Sequence, residues 1–127
     1  MISNKLCNFI ALYRSPSQSS DEFENFVYNL DLTLEALTQK NPFLTVIIGD
    51  FNAKFNKWCS TDKTTPEGAK LDSLTSQYGL TQLLKEPTHI SDNYRSCIGL
   101  IFTSQPNLVV DFGVHPSLHE NCHHQIV

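Results

Sequence analysis

Apolar and polar positions fall into blocks along the chain, and the blocks follow two periods. Leu6 to Tyr13 (LCNFIALY) is short, apolar and aromatic, which predicts a strand ending in Tyr13-Arg14-Ser15-Pro16 and a serine-rich loop. Phe23, Phe26, Val27, Leu30, Leu34 and Leu37 then recur at spacings of three and four, one apolar face of a helix. Ser20 or Asp21 opens that helix, and either Ser19 with Glu22 or Asp21 with Glu24 fits a capping box. Asn41 precedes Pro42 and is pushed out of the helical region, so the helix stops near Lys40. Phe43 to Gly49 is a second short apolar run. Strand, helix and strand make a crossover unit with the helix on one sheet face and favour parallel pairing.

Beyond this unit the pattern is looser. Residues 51–66 form a polar loop carrying Lys54, Lys57 and Trp58. Glu67 to Tyr78 reads as a second helix, with Gly79 as its stop. Leu80 to Leu84 reads as a short strand, and residues 85–95 as a loop around Pro87-Thr88-His89. Ser96 to Thr103 reads as a strand with Gly99 in its middle, where a glycine weakens pairing and needs a reason. Leu108 to Val114 reads as a further strand. A core strand begins almost at residue 1, and Ile126-Val127 opens an apolar run that stops, so both ends read as cuts through structure.

Composition narrows the class. A chain of 127 residues, 40% hydrophobic and 17% charged, is one domain with a packed core. A net charge of -4 is not the basic footprint of a protein that grips nucleic acid by charge alone. Cys7, Cys59, Cys97 and Cys122 are widely spaced, and no secretory signal precedes them. They are expected as free thiols in an intracellular, reducing compartment. No apolar stretch approaches the length of a membrane span.

The candidate chemistry centres on Ile48-Gly49-Asp50-Phe51-Asn52-Ala53. Asp50 and Asn52 lie two apart at a strand tip, so along extended chain they face the same way. A carboxylate beside an amide can hold a hydrated divalent ion or a phosphate oxygen; the plain alternative is an Asx-type turn. With Tyr13 and His123 or His124, these residues match what metal-assisted phosphodiester cleavage requires. Asp50 would serve as base, Asn52 as orienting ligand, the histidine as phosphate donor and Tyr13 as phosphate or leaving-group contact. For Tyr13 the alternative is a core tyrosine with its hydroxyl at the rim, and for each histidine a surface position. Trp58 is either a loop anchor or a stacking contact for nucleic acid. A second cluster, His115, His119, Cys122, His123 and His124, has ligand types suited to zinc. A serine hydrolase triad is set aside because no G-x-S-x-G is present.

In order, Tyr13-Arg14-Ser15-Pro16, Ile48 to Ala53, Trp58, Glu86-Pro87-Thr88, Ser96 to Phe102 and Cys122-His123-His124 resemble the endonuclease/exonuclease/phosphatase superfamily. Within it they are most similar to the apurinic-type endonuclease domain of non-LTR retrotransposons. The resemblance covers nearly the whole chain. It implies an α/β fold, the C-terminal portion of a four-layered sandwich of two β-sheets flanked by helices, with residues 1–127 a partial domain lacking its N-terminal part. It implies Mg²⁺ as cofactor, DNA as substrate, a reverse transcriptase domain downstream and no membrane. By position, Asp50, Asn52, His124 and Tyr13 take the catalytic places, Asp50, Asn52 and His123 those of metal ligands, and Arg14 and Trp58 those of substrate contacts.

Two departures weaken this picture. The family's final Ser-Asp-His reads Cys122-His123-His124 here, so His123 replaces the aspartate beside the catalytic histidine. Gly99 stands where the family has an aspartate that orients that histidine, and the family's metal-binding glutamate belongs to the missing part. Three functions follow as expectations: a Mg²⁺-dependent phosphodiesterase, weak or inactive in this form; a non-catalytic remnant of a degenerate element; or a metal-binding interaction module using the C-terminal His/Cys cluster.

Overall fold

The computed structural model describes residues 4–60, 62–92, 94–109, 111 and 113. β1 (Cys7–Tyr13) and β2 (Leu44–Asp50) pair in parallel, joined by α1 (Ser20–Gln39). This is the crossover expected from the pattern. α2 (Pro66–Gln77) follows a long loop, then β3 (Thr81–Gln82), β4 (His89–Ser91), β5 (Tyr94–Ser96) and β6 (Gly99–Thr103). The main sheet runs β1-β2-β6-β3, with β6 antiparallel to both neighbours, and β4 and β5 form a separate antiparallel pair.

Local chemistry sets the boundaries. The capping box at the start of α1 is Ser19 with Glu22: the Ser19 hydroxyl accepts the Glu22 N–H, and the Glu22 carboxylate accepts the Ser19 N–H. Thr65 caps α2 by accepting the Gly68 N–H, with Pro66 in the first helical turn. Gly68 must be glycine, since a Cβ there would lie 1.8 Å from the Lys54 carbonyl oxygen. The polar loop therefore crosses directly against the helix backbone. Gly79, at φ 67°, gives the turn after α2.

The sheet has two unlike faces. On one, Ile47, Leu100 and Phe102 pack with Phe51, with Phe23, Leu30 and Leu34 of α1, and with Leu71 and Leu74 of α2. On the other, Phe9 is 74% exposed and Ile48 is exposed. The stretch read as loop at 85–95 holds β4 and the first two residues of β5, and Ser96, read as the start of the next strand, ends β5. Of the strand read at 108–114, Leu108 ends a 3-10 turn and Val109, Asp111 and Gly113 lie in no strand, the rest being outside the described residues.

The Tyr78 hydroxyl ties α2 to α1 by donating to the Asp31 carboxylate. That bond, with burial second, pushes the phenol up to about 12. A raised folded value means the contribution is full below the ordinary phenol value of 10.0 and is lost as pH rises through about 12. Tyr78→Phe is expected to lose about 0.5–1 kcal/mol at neutral pH. The gap from the parent should close between pH 10.0 and about 12 in urea unfolding, and a gap that stays constant across that window refutes the assignment.

Candidate active site

The C-terminal ends of β1 and β2 open onto one cleft. Tyr13 and Asp50 are cross-strand partners in the parallel register, and the chain leaves the sheet just after both. In open sheets this is the edge where ligands bind. The cleft has a volume of about 380 Å³ and is lined by Tyr13, Pro16, Asp50, Asn52, Lys54, His89 and Ile98. A larger depression of about 560 Å³ lies beside the N-terminal half of α1, where Glu22 is its one charged lining residue. The smaller cleft holds the convergent chemistry.

Asp50 and Asn52 do face the same way, by a route the simple strand argument omits. β2 ends at Asp50, Phe51 turns fully inward against the edge of Phe102, and Asn52 takes a left-handed φ of 45°. Asparagine tolerates that region better than most side chains. The Asn52 N–H donates to Asp50 Oδ1 at 3.1 Å, which is an Asx-type turn. The plain interpretation and the functional one thus describe a single object, a local turn that presents a carboxylate and an amide to one cleft.

Arg14 holds the turn in place. Its Nε donates to the Phe51 carbonyl and its Nη2 to the Asn52 carbonyl, both at 2.6 Å. Asn52 Nδ2 returns a bond to the Arg14 carbonyl at 2.6 Å, and the Arg14 N–H donates to the Asp50 carbonyl at 2.8 Å. The guanidinium also stands over the Phe23 ring, 5.0 Å from its centroid. Burial lowers the Arg14 pKa, opposed by the carboxylates of Glu67 and Asp50. Arginine stays charged nonetheless, because its unperturbed value is so high.

Two of the expected substrate contacts therefore sit elsewhere. Arg14 is 5% exposed and sends Nε and Nη2 to the loop backbone and Nη1 to Gln18. Trp58 is 4% exposed; its ring meets the edges of Phe55 and Phe102 and its Nε1 donates to Asp72 Oδ1 at 3.2 Å. Trp58 is the loop anchor, because an indole enclosed on those sides has no face left for a base. Tyr13, in contrast, is 70% exposed, so it is not a core tyrosine. His123 and His124, together with His115, His119 and Cys122, lie outside the described residues.

Lys54 and His89, which the sequence placed only in loops, also line the cleft. His89 ends the Pro87-Thr88-His89 run, and that run was the available signal. Gly99 opens β6 rather than sitting at its middle, directly across from Asp50. Its N–H donates to Thr88 Oγ1 at 2.7 Å, and a Cβ there would lie 3.0 Å from that oxygen and 3.2 Å from Thr88 Cβ. The reason for glycine is this close approach of Thr88.

With that geometry in hand, the relatives are informative. A family profile described as Endonuclease-reverse transcriptase matches residues 7–126. Among solved structures the chain is similar to the endonuclease domain of TRAS1, a telomere-specific non-LTR retrotransposon. The TM-score is 0.71 at 20% identity, over 89% of this chain and 52% of that one. The chain spans about half the length of that relative, and at such identity the likeness carries the fold. No curated protein matches.

Proposed function

The chain belongs to the endonuclease–reverse transcriptase family, and from that footing we propose that its cleft is a Mg²⁺-dependent phosphodiesterase site acting on DNA, weak or inactive in this chain alone. The family and the fold make it a retrotransposon endonuclease-like domain, with its two helices and two sheets arranged as in an endonuclease domain. The observation that carries the proposal is the convergence of Tyr13, Asp50, Asn52, Lys54 and His89 on one cleft at the strand ends.

The donor set fits a hard cation of the Mg²⁺ type. Asp50 offers a carboxylate and Asn52 an amide oxygen, and Mg²⁺ commonly takes one or two carboxylates while keeping waters and accepting substrate phosphate oxygens. When bound, such an ion would neutralise charge developing on the phosphate. The protein's own groups divide the rest. Asp50 takes the proton from the attacking water as the water oxygen forms a bond to phosphorus and the bond to the leaving oxygen breaks, the leaving oxygen taking a proton from solvent. Asn52 holds the geometry through its bond to Arg14. Tyr13 and Lys54 contact phosphate oxygens. His124 would donate to the phosphate and His123 would join the metal ligands, as the resemblance implies. The site is weak because, among the described residues, Asp50 is the one carboxylate lining it.

Purified protein incubated with supercoiled plasmid and Mg²⁺ tests this. A trace of Mg²⁺-dependent nicking, removed by Asp50→Ala, is the expected result. Robust nicking would refute the weak-site part. Complete absence of Asp50-dependent nicking at high protein concentration would favour the non-catalytic remnant. The DNA partner and a downstream reverse transcriptase belong to the same proposal. No helix among the described residues is long and apolar enough to cross a membrane.

A further inference from the structure

A second cluster lies apart from the residues lining the cleft. Cys59, Asp62 and Cys97 are all buried, and their ligand atoms lie within 4.8 Å of one another. Cys59 and Asp62 belong to the long loop between β2 and α2; Cys97 belongs to the link between β5 and β6. The Asp62 N–H donates to the Cys59 carbonyl at 3.0 Å, so the two loop residues form one turn. Asp62 Oδ2 accepts the Cys97 N–H at 3.0 Å.

Buried thiols alone are ordinary, since free cysteine behaves as a small hydrophobe. The carboxylate is not. Asp62 is 7% exposed, and a buried charge needs charged or strong hydrogen-bond partners to offset lost hydration. Among the described residues the Cys97 N–H contributes, and the charge of Lys85 is felt at Cys97. Thiolates and a carboxylate are also ligand types that a borderline-soft divalent ion accepts. Around tetrahedral zinc such donors sit about 3.3–3.8 Å apart, so rotamer adjustments of about 1 Å would close the set.

We propose that Cys59, Asp62 and Cys97 supply three ligands of a binding site for Zn²⁺ or a similar divalent transition metal, pinning the loop after β2 to the entry of β6. Burial pushes the Cys97 thiol up, with its neighbour Cys59 the next cause. Binding therefore exchanges protons for metal: Zn²⁺ forms two bonds to sulfur, two S–H bonds break, and two protons pass to solvent. Affinity falls as pH falls. The pinned segments reach the candidate active site, because Ile98 follows Cys97 and lines the cleft. The same loop begins just after Asp50 and carries both Asn52 and Trp58.

Cobalt is the probe. Reduced, chelator-washed full chain titrated with Co²⁺ is expected to develop thiolate-to-cobalt charge-transfer absorption saturating at one ion per chain. Zn²⁺ should displace it. Cys59→Ser and Cys97→Ser should each abolish the band, and Asp62→Asn should weaken binding at least tenfold. Cys7→Ser, which alters an exposed thiol, and Cys122→Ser, which alters the C-terminal His/Cys run, should leave the band intact. Should a serine variant fail to fold by circular dichroism, the parent and Asp62→Asn titrations still decide. No charge-transfer band in folded parent protein overturns the proposal. So does a band that survives Cys97→Ser or vanishes in Cys122→Ser.

Discussion

Arg14→Lys is expected to destabilise the protein nearly as much as Arg14→Ala, by about 2–5 kcal/mol, the cost of leaving two backbone acceptors without their donors. The reason is geometric. The guanidinium sends Nε to one carbonyl and Nη2 to the next, at Phe51 and Asn52, while Nη1 reaches Gln18. An ammonium is a point charge and does not reproduce that fork. Truncation strands part-buried carbonyls, and a buried acceptor without a partner costs about 1–3 kcal/mol each. The cation over Phe23 is lost as well. Gln18→Ala removes one part-buried partner and is expected to cost under about 1 kcal/mol. Urea unfolding of the three variants checks this. Arg14→Lys falling within 1 kcal/mol of the parent would show that charge, not shape, holds the turn.

This clamp marks where sequence reasoning stops. The crossover unit was legible because each device was local: the stripe from Phe23 to Leu34, the box at Ser19, the proline at 42. Even there, the choice between Ser19 and Asp21 as cap depended on which backbone N–H was left unpaired. Arg14 carried no such periodic signal. Its two carbonyl partners lie 37 and 38 residues away, and the parallel pairing of β1 with β2 brings them to it. Trp58 was open between anchor and stacking platform because its surroundings, Phe55, Phe102 and Asp72, come from three separate segments. The β4–β5 hairpin was missed for a different reason. Its strands have three residues each, too few for alternation to register, and the polar run around Ser91 and Asp92 reads as loop.

The candidate site was legible in its parts and not in its state. Asp50 and Asn52 stood out as residue types; that they meet through a left-handed turn did not. Tyr13 was named from its strand end, and its exposure follows from a sheet face that neither helix covers. The Cys59, Asp62 and Cys97 group was invisible as a unit, since a gap of 35 residues separates Asp62 from Cys97.

Gly99→Asp is expected to raise Mg²⁺-dependent nicking roughly 10²-fold, the scale on which a single positioned polar group alters such chemistry. This rests on the proposed nuclease site. Gly99 pairs with Asp50 across β2 and β6, so a carboxylate there enters beside the one the cleft already has. Thr88 must first give way. Its hydroxyl accepts the Gly99 N–H, it is itself buried, and its own N–H is held by the Ser96 carbonyl. Crowding of this kind costs about 1–3 kcal/mol. Without a cation the two carboxylates repel, so the variant should melt below the parent, and Mg²⁺ should recover more of its melting temperature than of the parent's. Gly99→Ala separates the causes, because it brings the crowding without the charge and should lose stability with no gain in nicking. A folded Gly99→Asp protein with neither extra nicking nor a Mg²⁺-dependent rise in melting temperature would mean that the cleft lacks more than this carboxylate.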